Sequence, residues 1–247
     1  MNAKVHIGTM GWSYDFWTGN FYPRDIAPDG YLSEYAKHFN TVEVDNTFYR
    51  IPSKDTVAKW RDQTPGDFLF SAKFPRRITH EKMLSDCNEI AGFFLERMSL
   101  LQGKLGPLLL QFPYAFKPEH ANRLSDFLSA LPSTFRFVVE VRNRKLLNET
   151  LYSSLREHKT ALAIVEQPFM PTVEVTTSDF AYIRLEGDRR KVNGTYGKVE
   201  IDRTEDIRNW AEKIKKLTDS TGDVFVYFSK FYSGHPPTDV KQLAALL

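Results

Sequence analysis

Five short apolar stretches of this sequence carry ionisable or amide side chains opposite an apolar face. They are "TVEVDN" with Glu43 and Asp45, "FLFSAKF" with Lys73, "PLLLQF" with Gln111, "FRFVVEVR" with Glu140 and Arg142, and "FAYIRLEG" with Arg184 and Glu186. Side chains alternate across an extended strand, so each stretch has two unlike faces. Lys73, Arg142 and Arg184 are the residue types that grip a carboxylate or phosphate, arginine through a planar fork and lysine as a point charge. Glu43 and Glu140 are the acid/base candidates, with Lys73 as the third catalytic candidate, because a carboxylate in a closed apolar mouth has a raised pKa. Asp45, Gln111, Arg142, Arg184 and Glu186 form the expected binding set, joined by Tyr227 in "DVFVYFS".

These side chains need a scaffold that brings five strands to one place. Strand patterns recur at 4–8, 41–46, 68–74, 107–112, 135–142, 161–166, 180–187 and 223–229, with amphipathic helical patterns between most of them. Strands alternating with helices predict a parallel sheet with right-handed crossovers. Eight such units in 247 residues predict an α/β fold, a (β/α)8 barrel of the triosephosphate-isomerase type forming one domain over 1–247. An open doubly wound sheet is the rival arrangement. One unit is imperfect: "QPFMPTVEVTTSD" holds two prolines and little helical period, so the sixth helix is expected to be reduced or missing. The apolar strand faces must pack on the helices, which turns the charged faces into the barrel. The charges gather at the C-terminal strand ends, where barrels of this kind carry their sites.

The loop "IGTMGWSYDFWTGNFYP" follows the first strand and is dense in aromatic rings. Gly8 and Gly11 let the backbone bend close to a ligand. Trp12 and Tyr14 are expected on the pocket wall, with Phe16, Trp17, Phe21 and Tyr22 anchoring the loop to the rim. The segment "GDRRKVNGTYGK" (187–198) reads as a lid over an anion or as a plain surface loop. After the last strand, Lys230, Gly234 and His235 are the anion-loop candidates.

Composition narrows the function classes. Hydrophobic residues make up 42% and charged residues 26%, so a large core needs no covalent staple. The lone Cys87 allows no intramolecular disulfide, which fits a reducing, cytoplasmic setting, and it reads as a packed helical residue. No segment resembles a secretory leader or a membrane span. A net charge of +2 permits nucleic acid without pointing to it. The six histidines form no HxH or HExxH pattern, and only His80 and His235 fall in loops that reach the expected mouth. Phosphate-loop, dinucleotide, nucleophile-elbow and paired-cysteine motifs are all missing. No cofactor is expected, although a divalent metal remains open, as does the oligomeric state.

The stretches "IGTMGWSYDFWTGNFYP", "LSEYAKHFNTVEVDNTFYRIPSKDTVAKWRDQTPGDFLFSAKFPRRITHEK", "LLLQFP", "VVEVRN", "AYIRLEG" and "VYFSKFYSGHPP" together resemble the domain of unknown function 72 family. The resemblance spans nearly the whole chain and implies the same barrel. Its motif positions fall here on Gly8, Gly11, Trp12, Glu43, Thr47, Phe48, Tyr49, Lys73, His80, Gln111, Glu140, Arg142, Arg184, Tyr227, Gly234 and His235, and Thr47 and Tyr49 thereby join the expected binding set. It implies no reaction. The expected function is an enzyme, a hydrolase or a lyase or isomerase, that acts on a small phosphate- or carboxylate-bearing substrate by carboxylate acid/base chemistry. The alternatives are a divalent-metal-dependent phosphodiester hydrolase, analogous in fold to endonuclease IV, and a non-catalytic protein binding a nucleotide, sugar or RNA end.

Overall fold

In a computed structural model, which describes residues 3–192, 194 and 196–247, eight parallel strands close into a barrel in chain order. They are β1 (Val5–Met10), β2 (Thr41–Val44), β3 (Leu69–Lys73), β4 (Leu105–Phe112), β5 (Phe137–Val141), β6 (Ala161–Glu166), β7 (Ala181–Leu185) and β8 (Val224–Phe228). The helices around them are α1 (Tyr31–Tyr35), α2 (Lys54–Asp62), α3 (Asn88–Ser99), α4 (Ala121–Ala130), α5 (Glu149–Glu157), α6 (Thr204–Ser220) and α7 (Pro236–Ala244). The fold is therefore the (β/α)8 barrel, and β8 pairs with β1 to close it.

No helix forms between β6 and β7. Pro168 and Pro171 lack the N–H groups a helix needs, and an antiparallel bridge between Gln167 and Met170 turns the chain instead. Thr177 then stitches this return to β6: its hydroxyl accepts from the Leu162 amide at 2.8 Å and donates to the Thr160 carbonyl at 2.6 Å.

The two strand faces part as the alternation predicts. Val42, Phe70, Leu110, Val139 and Ile183 face outward into the layer shared with the helices. Met10, Leu109, Val138, Ala163, Tyr182 and Tyr227 form a smaller cluster inside the barrel. Boundaries differ in places. β4 starts at Leu105 and carries a register slip against β3 between Phe70 and Ala72, beside Gly106 and Pro107, where proline offers no donor to the ladder. Cys87 is buried as the residue preceding α3 rather than lying within the helix. Ser53 caps α2 as its position predicts, accepting from the Thr56 amide. Among the described residues no helix is long and apolar enough to cross a membrane.

One short seam of the barrel has an unusual clamp. β1 and β2 pair directly only at Thr9–Val42 and Met10–Glu43. Below that pair the Tyr35 hydroxyl of α1 reaches between the strands, accepting from the Thr9 amide and donating to the Thr41 carbonyl, each at 2.9 Å. Gly8 makes the close approach feasible, since a Cβ there would sit 2.1 Å from the Thr41 carbonyl oxygen. Tyr35→Phe leaves two buried backbone groups unpaired and is expected to lower stability by about 1–3 kcal/mol. Urea unfolding measures it, and a variant as stable as the parent would show that the strands close this gap unaided.

Candidate active site

Strand alternation sends Glu43, Glu140, Arg184 and Glu186 to the inside of the barrel at its C-terminal end, where they form one ion-pair lattice. Arg184 is its centre. Its Nε lies 2.9 Å from Glu43 Oε2, its Nη2 2.8 Å from Glu43 Oε1 and its Nη1 2.6 Å from Glu140 Oε2. Nη1 also donates to Glu186 Oε1. Tyr182 donates to Glu43 Oε2 at 2.7 Å, and Gln111 donates to Glu140 Oε1 at 2.8 Å. Arg142 closes the lattice above, with its Nε on Glu140 and its Nη2 on Glu186. Three carboxylates thus surround two guanidinium groups, with neutral donors on Glu43 and Glu140. This is the arrangement a buried charge cluster requires.

The lattice overturns one sequence expectation. Glu43 and Glu140 do not carry raised pKa values. Burial pushes both up, but Arg184 together with Lys73, and with Tyr182 at Glu43 and Arg142 and Gln111 at Glu140, more than offsets it, so Glu43 titrates below the ordinary carboxylate range and Glu140 at about 2. Both are fully buried beneath Arg184 and hold it in place.

Above the lattice opens a cavity of about 620 Å³. Among the described residues its wall includes Tyr14, Asp45, Tyr49, Lys73, Gln111, Arg142, Arg184 and Glu186 from the expected set. Asp45 is the carboxyl with acid/base character. Its Oδ1 is shut off from solvent with no hydrogen-bond partner. Burial and then the Glu43 charge push its pKa up to about 7, against the opposing pull of Lys73 and Arg184. Lys73 lies 4.3 Å from the centroid of the Phe48 ring, and burial lowers its pKa. His80, also on the wall, is held neutral at physiological pH by burial and by the nearby Lys73, Arg76 and Arg142 charges, titrating at about 4.

Four expected binding residues lie elsewhere. Trp12 is buried edge-on against Trp60 of α2 and Phe70 of β3, with ring centroids at 5.6 and 6.4 Å. Gly11, at φ 81°, turns the chain so that Trp12 points onto the outer barrel wall, while Tyr14 returns over the mouth and donates to the Met10 carbonyl at 2.7 Å. Tyr227 sits a layer lower, its hydroxyl between those of Thr41 and Ser71 at 2.7 and 2.8 Å. Thr47 spends its hydroxyl on the carbonyls of Val44 and Lys73, which fixes the end of β3. His235 is buried at the start of α7 with Nδ1 2.8 Å from the Thr238 hydroxyl, so it does not reach an anion at the mouth.

Some lining residues escaped the sequence reading. Arg76 and Arg189 belong to "FPRRITHEK" and "GDRRKVNGTYGK", whose cationic character was visible while its direction was not. Lys230 does face the cavity, with its ammonium near the rings of Tyr14, Phe16, Tyr196 and Phe231. Gly187 sets this side of the mouth. Its φ is +69°, and a Cβ there would fall 2.1 Å from the Phe231 carbonyl oxygen, so only glycine lets the loops after β7 and β8 meet. Within the 187–198 segment, Asn193 and Thr195 lie outside the described residues. The finished wall carries Lys73, Arg76, Arg142, Arg184, Arg189 and Lys230 against the carboxyls of Asp45 and Glu186. Among the described residues no group of three or more histidine, cysteine, aspartate or glutamate side chains is arranged to hold a metal ion.

Comparison with known proteins places this architecture. A UPF0759 protein, YecE of Escherichia coli K12, is 33% identical over 208 residues, covering 74% of each chain. YunF, a UPF0759 protein of Bacillus subtilis, is 25% identical, with 98% of this chain and 94% of its own covered. A crystal structure of a DUF72 family protein from Thermotoga maritima superposes with a TM-score of 0.85 at 26% identity, covering 98% of both chains. The family described as protein of unknown function DUF72 matches residues 6–247, and the chain belongs to that family.

Proposed function

We propose that this protein is an enzyme acting on a small anionic substrate by proton transfer at the C-terminal mouth of the barrel, with Asp45 as the acid/base group. The observation that carries the reading is one cavity that combines six cationic side chains with a carboxyl titrating at about 7. Its volume of about 620 Å³ fits a metabolite-sized ligand. A general acid or base works best with a pKa near the operating pH, and Asp45 meets that condition while Glu43 and Glu140 do not. Arg142, 31% exposed with its side chain already oriented by two carboxylates, is the natural anion fork. Arg184 occupies the carboxylates that a divalent ion would otherwise use, which favours proton transfer over metal-assisted phosphodiester hydrolysis.

Isothermal titration with inorganic phosphate, phosphorylated sugars and small keto acids tests the anion site. Binding is expected at low ionic strength and should weaken with added salt. Arg142→Gln removes a charge-assisted contact and should weaken affinity about tenfold. No binding by any of these anions at low salt would remove the basis of the reading.

A further inference from the structure

Lys73 differs from the charges of the lattice beneath it. Arg184 pairs with Glu43, Glu140 and Glu186, Glu140 pairs with Arg142 as well, and Glu43 pairs with Arg184. Lys73 is 9% exposed, lies on the cavity wall and makes no hydrogen bond or ion pair among the described residues. Its ammonium lies 4.3 Å from the centroid of the Phe48 ring. The backbone that carries it is rigid, since Thr47 donates to the Lys73 carbonyl at 2.7 Å and the next amide, Phe74, donates to Leu109 in β4 at 2.8 Å. A lysine held this way, at a strand end and without a counter-ion contact, is built for something other than structural pairing. An amine desolvated beside an aromatic ring is a nucleophile as soon as it loses its proton.

We propose that Lys73 is an amine nucleophile that forms a Schiff base with an aldehyde or ketone bearing a carboxylate or phosphate, with Asp45 as the proton donor. This rests on the anion-site reading above and names the substrate class for the same cavity. The Nζ lone pair attacks the carbonyl carbon as the C=O π pair moves onto oxygen. One proton passes from nitrogen to that oxygen, giving a neutral carbinolamine. Asp45 then protonates the hydroxyl, which leaves as water while the nitrogen lone pair forms the C=N bond. The products are a protonated imine, one water and the Asp45 carboxylate, so atoms and charge balance. The groups acting on Lys73 are mixed in sign. Burial and Arg184 favour the neutral amine, whereas Asp45, Glu140 and Glu43 favour the ammonium, and the net shift is downward. The substrate's anionic group would rest on Arg142 and the rim cations, which leaves its carbonyl end to Lys73.

Reductive trapping tests the proposal. The full chain is incubated with sodium cyanoborohydride and, in separate arms, glyoxylate, pyruvate or dihydroxyacetone phosphate, then mapped by peptide mass spectrometry. Hydride addition to the imine carbon leaves a stable secondary amine. Lys73 should carry at least about tenfold more adduct than any exposed lysine, because the anion site holds the probe's carbonyl beside it. Excess inorganic phosphate should suppress that labelling, and the arms distinguish a carboxylate from a phosphate handle. Lys73→Arg keeps the charge and should lose the adduct. If that variant fails to fold, the site distribution in the parent still decides. Adduct spread evenly over surface lysines, or an unlabelled Lys73 while calorimetry shows the same probe bound, overturns the nucleophile and leaves the anion site standing. Probes that neither bind nor label overturn both.

Discussion

Replacing Arg184 by methionine is expected to lower the unfolding free energy by about 3–5 kcal/mol at neutral pH. The side chain is 2% exposed and pairs with three carboxylates, so its removal strands the fully buried Glu43 and leaves Arg142 alone to offset Glu140 and Glu186. The sign of the pH dependence separates this from simple loss of packing. In the parent, Glu140 titrates at about 2, below its ordinary value, so its contribution is present above the unfolded pKa near 4.5 and fades as pH falls towards 2. Without Arg184, burial pushes Glu43 above its unfolded value. Protonation then favours the native state, and the variant loses stability as pH rises. The gap between the two proteins should therefore be widest near pH 7 and narrow below pH 4.5 in urea unfolding curves. A gap that stays constant with pH would show that lost packing, and not stranded charge, sets the penalty.

Asp45→Asn is expected to lower turnover of the anionic substrate by about 10²–10⁴-fold while leaving anion affinity intact or improved. The two effects separate because Asp45 faces the same cavity as the rim cations and contributes a negative charge only when ionised. Its pKa of about 7 makes the parent's affinity for a fixed-charge anion fall as pH rises through neutrality. The asparagine variant should bind independently of pH in that window. Stability should follow the same proton. The folded-state pKa lies above the ordinary aspartate value of 3.8, so the parent loses stability between there and about 7, and the variant should not. Steady-state rates on a panel of sugar phosphates and keto acids, paired with titration calorimetry from pH 6 to pH 8, measure both halves. Turnover that survives in Asp45→Asn and falls in Glu43→Gln without loss of stability would return the acid/base role to Glu43.

The strand count, the missing helix between β6 and β7 and the inward charges were all legible along the chain. Each depends on a local rule. Alternation has a period of two, so the outward positions of Phe70, Val139 and Ile183 commit Lys73, Glu140 and Arg184 to the interior whatever the details of closure. Pro168 and Pro171 forbid a helix regardless of what surrounds them. What alternation does not encode is depth, partner and direction beyond the strand end. Glu43 and Asp45 are two residues apart on one face and look equivalent as letters. The closed barrel places Arg184 against Glu43 and leaves the Asp45 Oδ1 unpaired, which sends their proton affinities in opposite directions. Tyr227 also faces inward, yet sits too deep for a ligand. Trp12 shows the limit most plainly: the glycine before it was read as freedom to approach a ligand, while its φ of 81° turns the indole onto the outer wall. The sequence by itself determined which side chains enter the barrel, because that follows from bond geometry within one strand. Which of them have lowered and which have raised proton affinity emerged only in the tertiary structure, because pKa depends on burial and on charges from strands distant in sequence.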